Sequence, residues 1–244
     1  MNEITIWNNI LRSAMSLPFV KVDRTAFLKK ELALYCNSEK LEEVVLTSPI
    51  HILDKKVINK IANGCINFHL TTVTATSALA GIPGGWASVG TTPADITQFY
   101  GHVLCLSQKL MYLYGYPELV NEEGNIDDET IQILTLFAGV MMGEAMANQA
   151  LKELEKELAK QMVKRIPQMC LTKYAIYNIA KQVGKWIGIK ITKEGFAKQA
   201  SKLVPIIGAP ISGGMTYWTF KPMAKRLKKH FEESWELKNE TIEA

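Results

Sequence analysis

The sequence predicts an all-α protein that folds as a single compact bundle of about seven to nine helices, two of which form a glycine-rich helical hairpin. Along most of the chain, apolar residues recur at the spacing of an amphipathic helix. The sustained alternation of apolar and polar residues that is typical of strands is missing. A chain of 244 residues with 48% hydrophobic content can also bury a sizeable core.

The N-terminal part is predicted to contain two short helices. Apolar residues at helical spacing predict the first helix over residues 2–17, and Pro18 marks the break that follows it. Asp23 has the side chain and the position of an N-cap for a second helix over residues 23–34. A polar stretch without a predicted helix follows, and a long helical pattern then covers about residues 54–80.

The helical hairpin is predicted where two long helical patterns flank a glycine-rich turn. Residues 81–92 contain four glycines and a proline, which interrupt the helix that ends near residue 80. A second amphipathic helix is predicted over residues 93–114. The turn and its two flanking helices form the hairpin.

The C-terminal half is predicted to contain four more helices. An acidic surface loop precedes a single long helix over residues 129–165. Three further helices are predicted over residues 170–187, 193–203 and 205–237.

Cysteine usage and the N-terminal sequence favour a cytoplasmic location. The four cysteines are widely spaced, form no C-x-x-C pair and have no histidine at a zinc-type offset, which predicts reduced, buried thiols. Residues 1–12 contain Glu3 and no basic region before their apolar residues, which does not fit a secretory signal. We therefore expect a cytoplasmic protein.

Charge is distributed unevenly along the chain. Residues 151–230 carry 17 Lys and Arg against four Glu, a local charge of +13, whereas the rest of the chain has a charge of −9. This field favours a polyanionic partner, unless the charges are only solvated helix faces. A nucleic acid is disfavoured because the sequence contains no helix-turn-helix, zinc-finger, RRM or KH pattern. An anionic membrane surface is the partner that we expect.

Three uncharged segments, residues 61–94, 130–143 and 203–220, are predicted to avoid water. The alternatives are a soluble core, an interfacial or re-entrant insertion, and a permanent membrane span. The glycines and prolines of residues 203–220 argue against a simple span. A basic cluster follows that segment directly, which is typical of contact with anionic lipid. This cluster consists of Lys221, Lys225, Arg226, Lys228 and Lys229.

A small polar group is the candidate ligand site. Asp95, Gln98 and His102 share one face of the predicted helix over residues 93–114. Glu144 lies among apolar residues, where a carboxylate needs a partner or a shifted pKa.

Each of these residues also has a structural interpretation. Asp95 fits a capping role at the start of its helix, with Thr92 as N-cap and Pro93 at the first helical position. The polar face of that helix, which includes Gln108 and Tyr112, fits a solvent-exposed side. Glu144 likewise fits the solvent side of its helix. The sequence contains no G-x-S-x-G, H-E-x-x-H or Walker motif, so we predict no catalytic residue, cofactor or metal ligand.

Four motifs in a fixed order carry a family resemblance. They are Gly81 with its glycine-rich turn, Pro93-Ala94-Asp95 with Gln98, Leu113-Tyr114-Gly115-Tyr116, and Leu203-Val204-Pro205-Ile206-Ile207-Gly208-Ala209 followed by Gly213-Gly214 and Thr216. In these motifs the chain resembles the EcsC family of bacterial proteins and a related helical domain found beside some GTPases. The resemblance implies an all-helical, intracellular protein linked to transport, with no assigned activity. It places an EcsC-like helical domain at residues 49–237, between an N-terminal helical extension at 1–48 and a disordered tail at 238–244.

The sequence leaves two classes of function open. The favoured class is a non-enzymatic helical protein that associates with an anionic membrane surface, on its cytoplasmic face, or with a membrane transport or secretion protein. The alternative is a hydrolase-like enzyme, or a binder of a small ligand or metal, that uses a buried polar cluster around Asp95. The sequence makes no prediction of oligomeric state.

Overall fold

The structure, a computed structural model, describes residues 2–80, 91–119, 127–160, 174–201 and 208–242. Ten α-helices and no strand lie within these ranges, which confirms the predicted all-α bundle. The helices are α1 (Glu3–Met15), α2 (Arg24–Leu32), α3 (Ser38–Leu46), α4 (Pro49–Ile52), α5 (Lys55–Ala80), α6 (Thr91–Leu113), α7 (Asp128–Met142), α8 (Ala145–Lys160), α9 (Tyr174–Ser201) and α10 (Gly208–Ile242).

Two helices, α6 and α7, form the centre of the bundle. Every residue of α7 from Thr130 to Met141 is buried except Gln132, because this helix is apolar around almost its whole circumference. Helices α8, α9 and α10 pack on α7, while α1, α2 and α5 pack on α6. The side chains between these helices belong to one hydrophobic core.

The N-terminal residues contribute to this same core. Trp7 of α1 is fully buried, and its indole Nε1–H donates a hydrogen bond of 2.8 Å to Thr135 Oγ1 of α7. Helix α2 begins as predicted, because the Asp23 side chain caps it by accepting a hydrogen bond from the Ala26 backbone N–H at 2.7 Å.

Helices α5, α6 and α10 lie side by side, and α6 and α10 both run antiparallel to α5. Near the start of α5, Lys55 Nζ lies 2.5 Å from Glu236 Oε1 of α10, and Tyr114 at the end of α6 donates a hydrogen bond to Asn59 Oδ1. Near the end of α5, Gly213 of α10 lies against Ala78. The last residue of α5 and the first residues of α6 and α10 therefore lie at one end of this layer. The glycine-rich turn, residues 81–90, falls outside the described residues.

Three predictions about helix boundaries are wrong. The single helix expected over residues 129–165 is two helices, because Gly143 adopts a left-handed conformation with φ of 86° and ends α7. The break expected between residues 187 and 193 does not occur, and α9 is continuous from Tyr174 to Ser201. The polar stretch before residue 54 contains α3 and α4.

Helix α3 was missed because its signals are local polar contacts. The Asn37 side chain caps it by accepting a hydrogen bond from the Lys40 backbone N–H at 2.9 Å. Helix α4 has Pro49 at its first position, where a proline is tolerated because no intrahelical N–H is needed there. Over the described residues, no helix is both long and apolar enough to cross a membrane.

Candidate functional site

The three members of the predicted polar group whose side chains are described lie in different environments. Gln98 is exposed on α6, whereas His102, one turn later, is buried and faces α5. Glu144 is half-buried at the junction of α7 and α8, where its carboxylate accepts a hydrogen bond from the Met146 backbone N–H at 3.4 Å. The side chains of Asp95 and Thr92 fall outside the described residues, and so does the predicted cap that they would form.

The interpretation of this α6 face as solvent-exposed holds for Gln98 but is wrong for the residues from His102 onward that were assigned to it. Gln108 and Tyr112 are fully buried, and His102 is buried as well. The Gln108 side-chain amide donates to the Val20 carbonyl oxygen at 2.8 Å and accepts from the Val22 backbone N–H at 3.2 Å. The loop between α1 and α2 therefore covers this part of the face and satisfies the side-chain amide of Gln108.

His102 belongs to a buried row of basic side chains. His102 Nδ1 lies 3.0 Å from His69 Nδ1 of α5, and His69 Nε2 lies 3.1 Å from Lys109 Nζ. With Lys109 as the donor to His69, His69 carries its proton on Nδ1 and donates it to His102. The proton of His102 is then on Nε2, which is buried and has no hydrogen-bond partner among the described residues.

Burial keeps both histidines neutral. Loss of solvation, followed by the charge of Lys109, lowers the pKa of His69 to about 3 and that of His102 to about 4. The aromatic ring of Phe19 stacks on His102 at a centroid distance of 4.8 Å, and Phe68 meets His69 edge to face at 5.2 Å. The two histidines are therefore uncharged at neutral pH, and Lys109 is the charged member of the row.

Two cysteines lie close to this histidine pair. Cys105 is one turn beyond His102, and its Sγ lies 3.2 Å from the Phe19 carbonyl oxygen. Burial raises the pKa of Cys65 to about 12 and that of Cys105 to about 11, so both are protonated thiols, in agreement with the prediction of buried, reduced cysteines. Within the described ranges, no three His, Cys, Asp or Glu side chains are arranged to hold a metal ion.

A second buried polar cluster lies in the C-terminal half of α10. His230 Nε2 is 3.1 Å from Glu155 Oε1 of α8. Tyr116 donates a hydrogen bond to the same carboxylate, and His230 Nδ1 lies 2.6 Å from Asn148 Oδ1.

The Glu155 carboxylate is charged in this cluster. Burial alone would raise the pKa of Glu155, but contact with His230 and hydrogen bonds from Ser234 and Tyr116 hold it below its ordinary value. Burial, with the charge of Glu155, raises the pKa of Tyr116 well above its usual range. The cluster joins α8, α10 and the segment after α6, which is a structural role.

The basic cluster of α10 divides between two sides of the helix. Arg226 points toward α7, where its Nη1–H donates a hydrogen bond of 3.1 Å to the Met141 carbonyl oxygen at the helix C-terminus. Lys229 is exposed and lies 3.6 Å from Glu233. The remaining members, Lys221, Lys225 and Lys228, line a groove between α10 and α5.

This groove, which we call the α5–α10 groove, has a volume of about 390 Å³. Its lining on α5 consists of Asn63, Ile66, Asn67 and Leu70, and its lining on α10 consists of Lys221, Lys225, Lys228 and Glu232. The sequence analysis did not single out the two asparagines, although their i,i+4 spacing in the uncharged part of α5 could have indicated them.

The groove adjoins an end of the bundle that carries very little charge. Residues 61–80 of α5 and 208–220 of α10 contain no Asp, Glu, Lys or Arg, and residues 91–108 of α6 contain only Asp95. On α10, Trp218 is 78% exposed and Met215 is 51% exposed. We call this region, where α5 ends and α6 and α10 begin, the uncharged end.

Comparison of the chain with protein-family models, with curated proteins and with solved structures finds no match.

Proposed function

We propose that this protein is a non-enzymatic, peripheral membrane-binding protein that docks on anionic lipid through α10 and the uncharged end. The observation that carries the proposal is one face of α10. Trp218, Lys225 and Lys229 follow one another at i, i+7 and i+11, a spacing that aligns them along one side of a helix. An exposed tryptophan followed by lysines is the arrangement of an interfacial helix that inserts its ring and leaves its ammonium groups among the headgroups.

The charge contribution to docking is moderate. Each lysine near an anionic surface contributes about 1 kcal/mol, so Lys221, Lys225 and Lys229 together contribute roughly 3 kcal/mol, or about two orders of magnitude in affinity. Lys229 contributes less than the others because Glu233 lies 3.6 Å away. Docking therefore also needs the apolar contribution of Trp218 and Met215, which are exposed to water in the free protein.

The resemblance to the EcsC family supports docking on the cytoplasmic face of a membrane. A family linked to transport fits a protein on the inner face of a membrane, where a membrane transport or secretion protein would be its neighbour. The negative surface potential of the cytoplasmic leaflet is the field that would attract the lysines of α10.

Vesicle flotation tests the proposal. We expect the protein to float with phosphatidylcholine vesicles that contain phosphatidylserine at low salt, and to be released as the salt concentration rises. The double charge reversal Lys225→Glu with Lys229→Glu should abolish flotation. Arg226 is left unchanged because it caps α7.

A matched control reverses two charges elsewhere. Lys30 of α2 and Lys40 of α3 are both exposed, so Lys30→Glu with Lys40→Glu changes the net charge equally and should leave flotation largely intact. If the wild-type protein stays unbound at low salt, or if both double variants lose flotation equally, docking through α10 is wrong.

The alternative, an enzyme or ligand binder centred on Asp95, has one observation in its favour. His102 Nε2 is buried and lacks a hydrogen-bond partner among the described residues, which is expensive unless a ligand or water fills that position. A ligand there predicts that His102→Asn abolishes cellular function while the melting temperature changes little. A packing role predicts a lower melting temperature in proportion to the loss of function.

A further inference from the structure

The α5–α10 groove has an excess of hydrogen-bond donors. Lys221, Lys225 and Lys228 follow one another at i, i+4 and i+7 on α10, and Asn63 and Asn67 at i and i+4 on α5. Each lysine can donate three hydrogen bonds and each asparagine amide can donate two, while Glu232 is the one carboxylate in the lining. Such a groove suits an anion with several acceptor oxygens.

Several of these donors are uncommitted. Lys225 and the side chains of Asn63 and Asn67 are exposed, and within the described part of the chain they have no hydrogen-bond or ion-pair partner. Lys228 lies 2.7 Å from Glu232, and Lys221 donates to the Tyr217 hydroxyl at 2.6 Å. These two contacts hold Lys228 and Lys221 beside the groove. Lys225 lies between these two lysines along α10.

The charge of the groove matches a phosphomonoester. Three lysines and Glu232 give the lining a formal charge of +2. A phosphomonoester carries about −1.5 to −2 charges at neutral pH, with a second pKa of about 6, whereas a phosphodiester carries one charge. The dianion therefore compensates the groove more fully than a diester headgroup does.

The direction of the groove indicates a lipid rather than a soluble phosphate. From Asn63 to Leu70 on α5, and from Lys228 to Lys221 on α10, the lining runs toward the uncharged end. Ile66 and Leu70 add apolar surface along that path, and exposed Met215 lies further along α10. A headgroup bound among the lysines would have its acyl chains directed toward the membrane-facing end.

We propose that the α5–α10 groove binds the phosphomonoester headgroup of an anionic phospholipid, of the phosphatidic acid class. This inference rests on the proposed function, because it names the lipid that the docked protein selects. The lysines supply charge, and Asn63 and Asn67 supply neutral donors that a purely electrostatic attraction would not need.

The test compares vesicles of equal surface potential. Phosphatidylcholine vesicles receive either phosphatidic acid or phosphatidylserine in the amounts that give the same measured zeta potential. We expect the wild-type protein to bind the phosphatidic acid vesicles about tenfold more tightly, the effect of one additional charge-assisted hydrogen bond. Asn63→Ala with Asn67→Ala should remove this preference and leave binding to phosphatidylserine unchanged.

Controls separate the groove from the general surface. Asn9 of α1 is exposed outside the groove, so Asn9→Ala should keep the preference. Lys225→Ala should lose it, whereas Lys30→Ala, which removes an exposed charge from α2, should keep it. Circular dichroism melting curves of all variants check that they fold.

The outcomes distinguish the two proposals. Equal binding to both vesicles by the wild-type protein, or a preference that survives in the asparagine variant, overturns the headgroup site and leaves membrane docking standing. Absence of binding to either vesicle overturns both. Glycerol 3-phosphate tests whether the groove binds a soluble phosphomonoester, and calorimetry measures its affinity. An affinity equal to that for phosphatidic acid vesicles would assign the groove to a free phosphate and overturn the lipid proposal.

Discussion

The two ends of the layer formed by α5, α6 and α10 differ sharply in their use of charge. At one end, which we call the paired end, Lys55 meets Glu236 across α5 and α10, and buried Glu155 meets His230. At the uncharged end, residues 61–80 and 208–220 have no formal charge and Trp218 is largely exposed. The same helices therefore present a salt-bridged end and an end with an exposed tryptophan.

The two ends are therefore suited to different contacts. Ion pairs and buried charge clusters stabilise a particular packing of side chains, and their geometry is complete within the protein. A large exposed aromatic side chain such as that of Trp218 marks instead a surface for another phase or molecule.

The largest effect is expected at Glu155. Glu155→Ala removes the carboxylate that Tyr116 and His230 contact, and it should lower the free energy of unfolding by about 3–5 kcal/mol because a buried partner is left uncompensated. Lys55→Ala, at an exposed pair of the same end, should cost no more than about 1 kcal/mol. Urea denaturation measures both, and equal costs would contradict a structural role for the buried cluster.

The next effect is a dependence of stability on pH that arises from His69 and His102. Their pKa values are lowered from 6.5 in the unfolded chain to about 3 and about 4 in the folded protein. The unfolded chain therefore binds more protons between these values, so stability is complete above about pH 6.5 and decreases as the pH falls. Each proton contributes a slope of up to roughly 1.4 kcal/mol per pH unit.

The double variant His69→Asn with His102→Asn checks this assignment. Its unfolding free energy should change much less between pH 6.5 and pH 5 than that of the wild-type protein. Throughout this window Glu155 remains ionised, and its lowered pKa predicts a separate loss of stability only at more acidic pH. A double variant with the wild-type slope would show that other groups cause the dependence.

The smallest effect concerns the seam between α5 and α10. A Cβ atom on Gly213 would lie 3.0 Å from Ala78 Cβ and 3.4 Å from the Thr74 carbonyl oxygen, whereas one on Gly214 would meet nothing within 4 Å. Gly213→Ala should therefore destabilise the protein by about 1 kcal/mol. Gly214→Ala should be neutral or stabilise it by up to about 1 kcal/mol, because alanine favours the helix. Thermal melting compares the two variants. A larger loss of stability in Gly214→Ala than in Gly213→Ala would contradict the close packing of α10 on α5 at Gly213.

The helix content was predictable because its signals are local. Apolar spacing predicted α5, α6 and the final helix, and the Asp23 cap was read directly from its side chain. Helix breaks were harder to predict from the sequence, because a glycine can either end a helix or lie inside one where another element packs closely. Gly143 ends α7 through a positive φ, whereas Gly188 lies inside α9, where any Cβ would collide with the Glu3 carbonyl oxygen of α1. Only the packing of α1 on α9 distinguishes them.

The candidate site was predictable only in part, for a similar reason. The lysines of α10 and the uncharged segments follow from composition, but the groove exists because α5 lies antiparallel to α10 and brings Asn63 and Asn67 opposite Lys225. His102 was a candidate from sequence, whereas its partner His69 is separated from it by 33 residues and becomes a neighbour only through the hairpin. Such long-range pairings are not encoded in local spacing.

Quenching of Trp218 fluorescence by brominated phospholipid measures directly whether α10 enters the membrane surface. Wild-type protein and Trp218→Phe are each mixed with vesicles of brominated phosphatidylcholine and phosphatidylserine at low salt, and their difference spectrum isolates Trp218 from the other four tryptophans. Membrane docking through α10 predicts strong quenching of this difference signal, with Trp7 protected by complete burial. A Trp218 signal that is unchanged by brominated lipid would contradict the account.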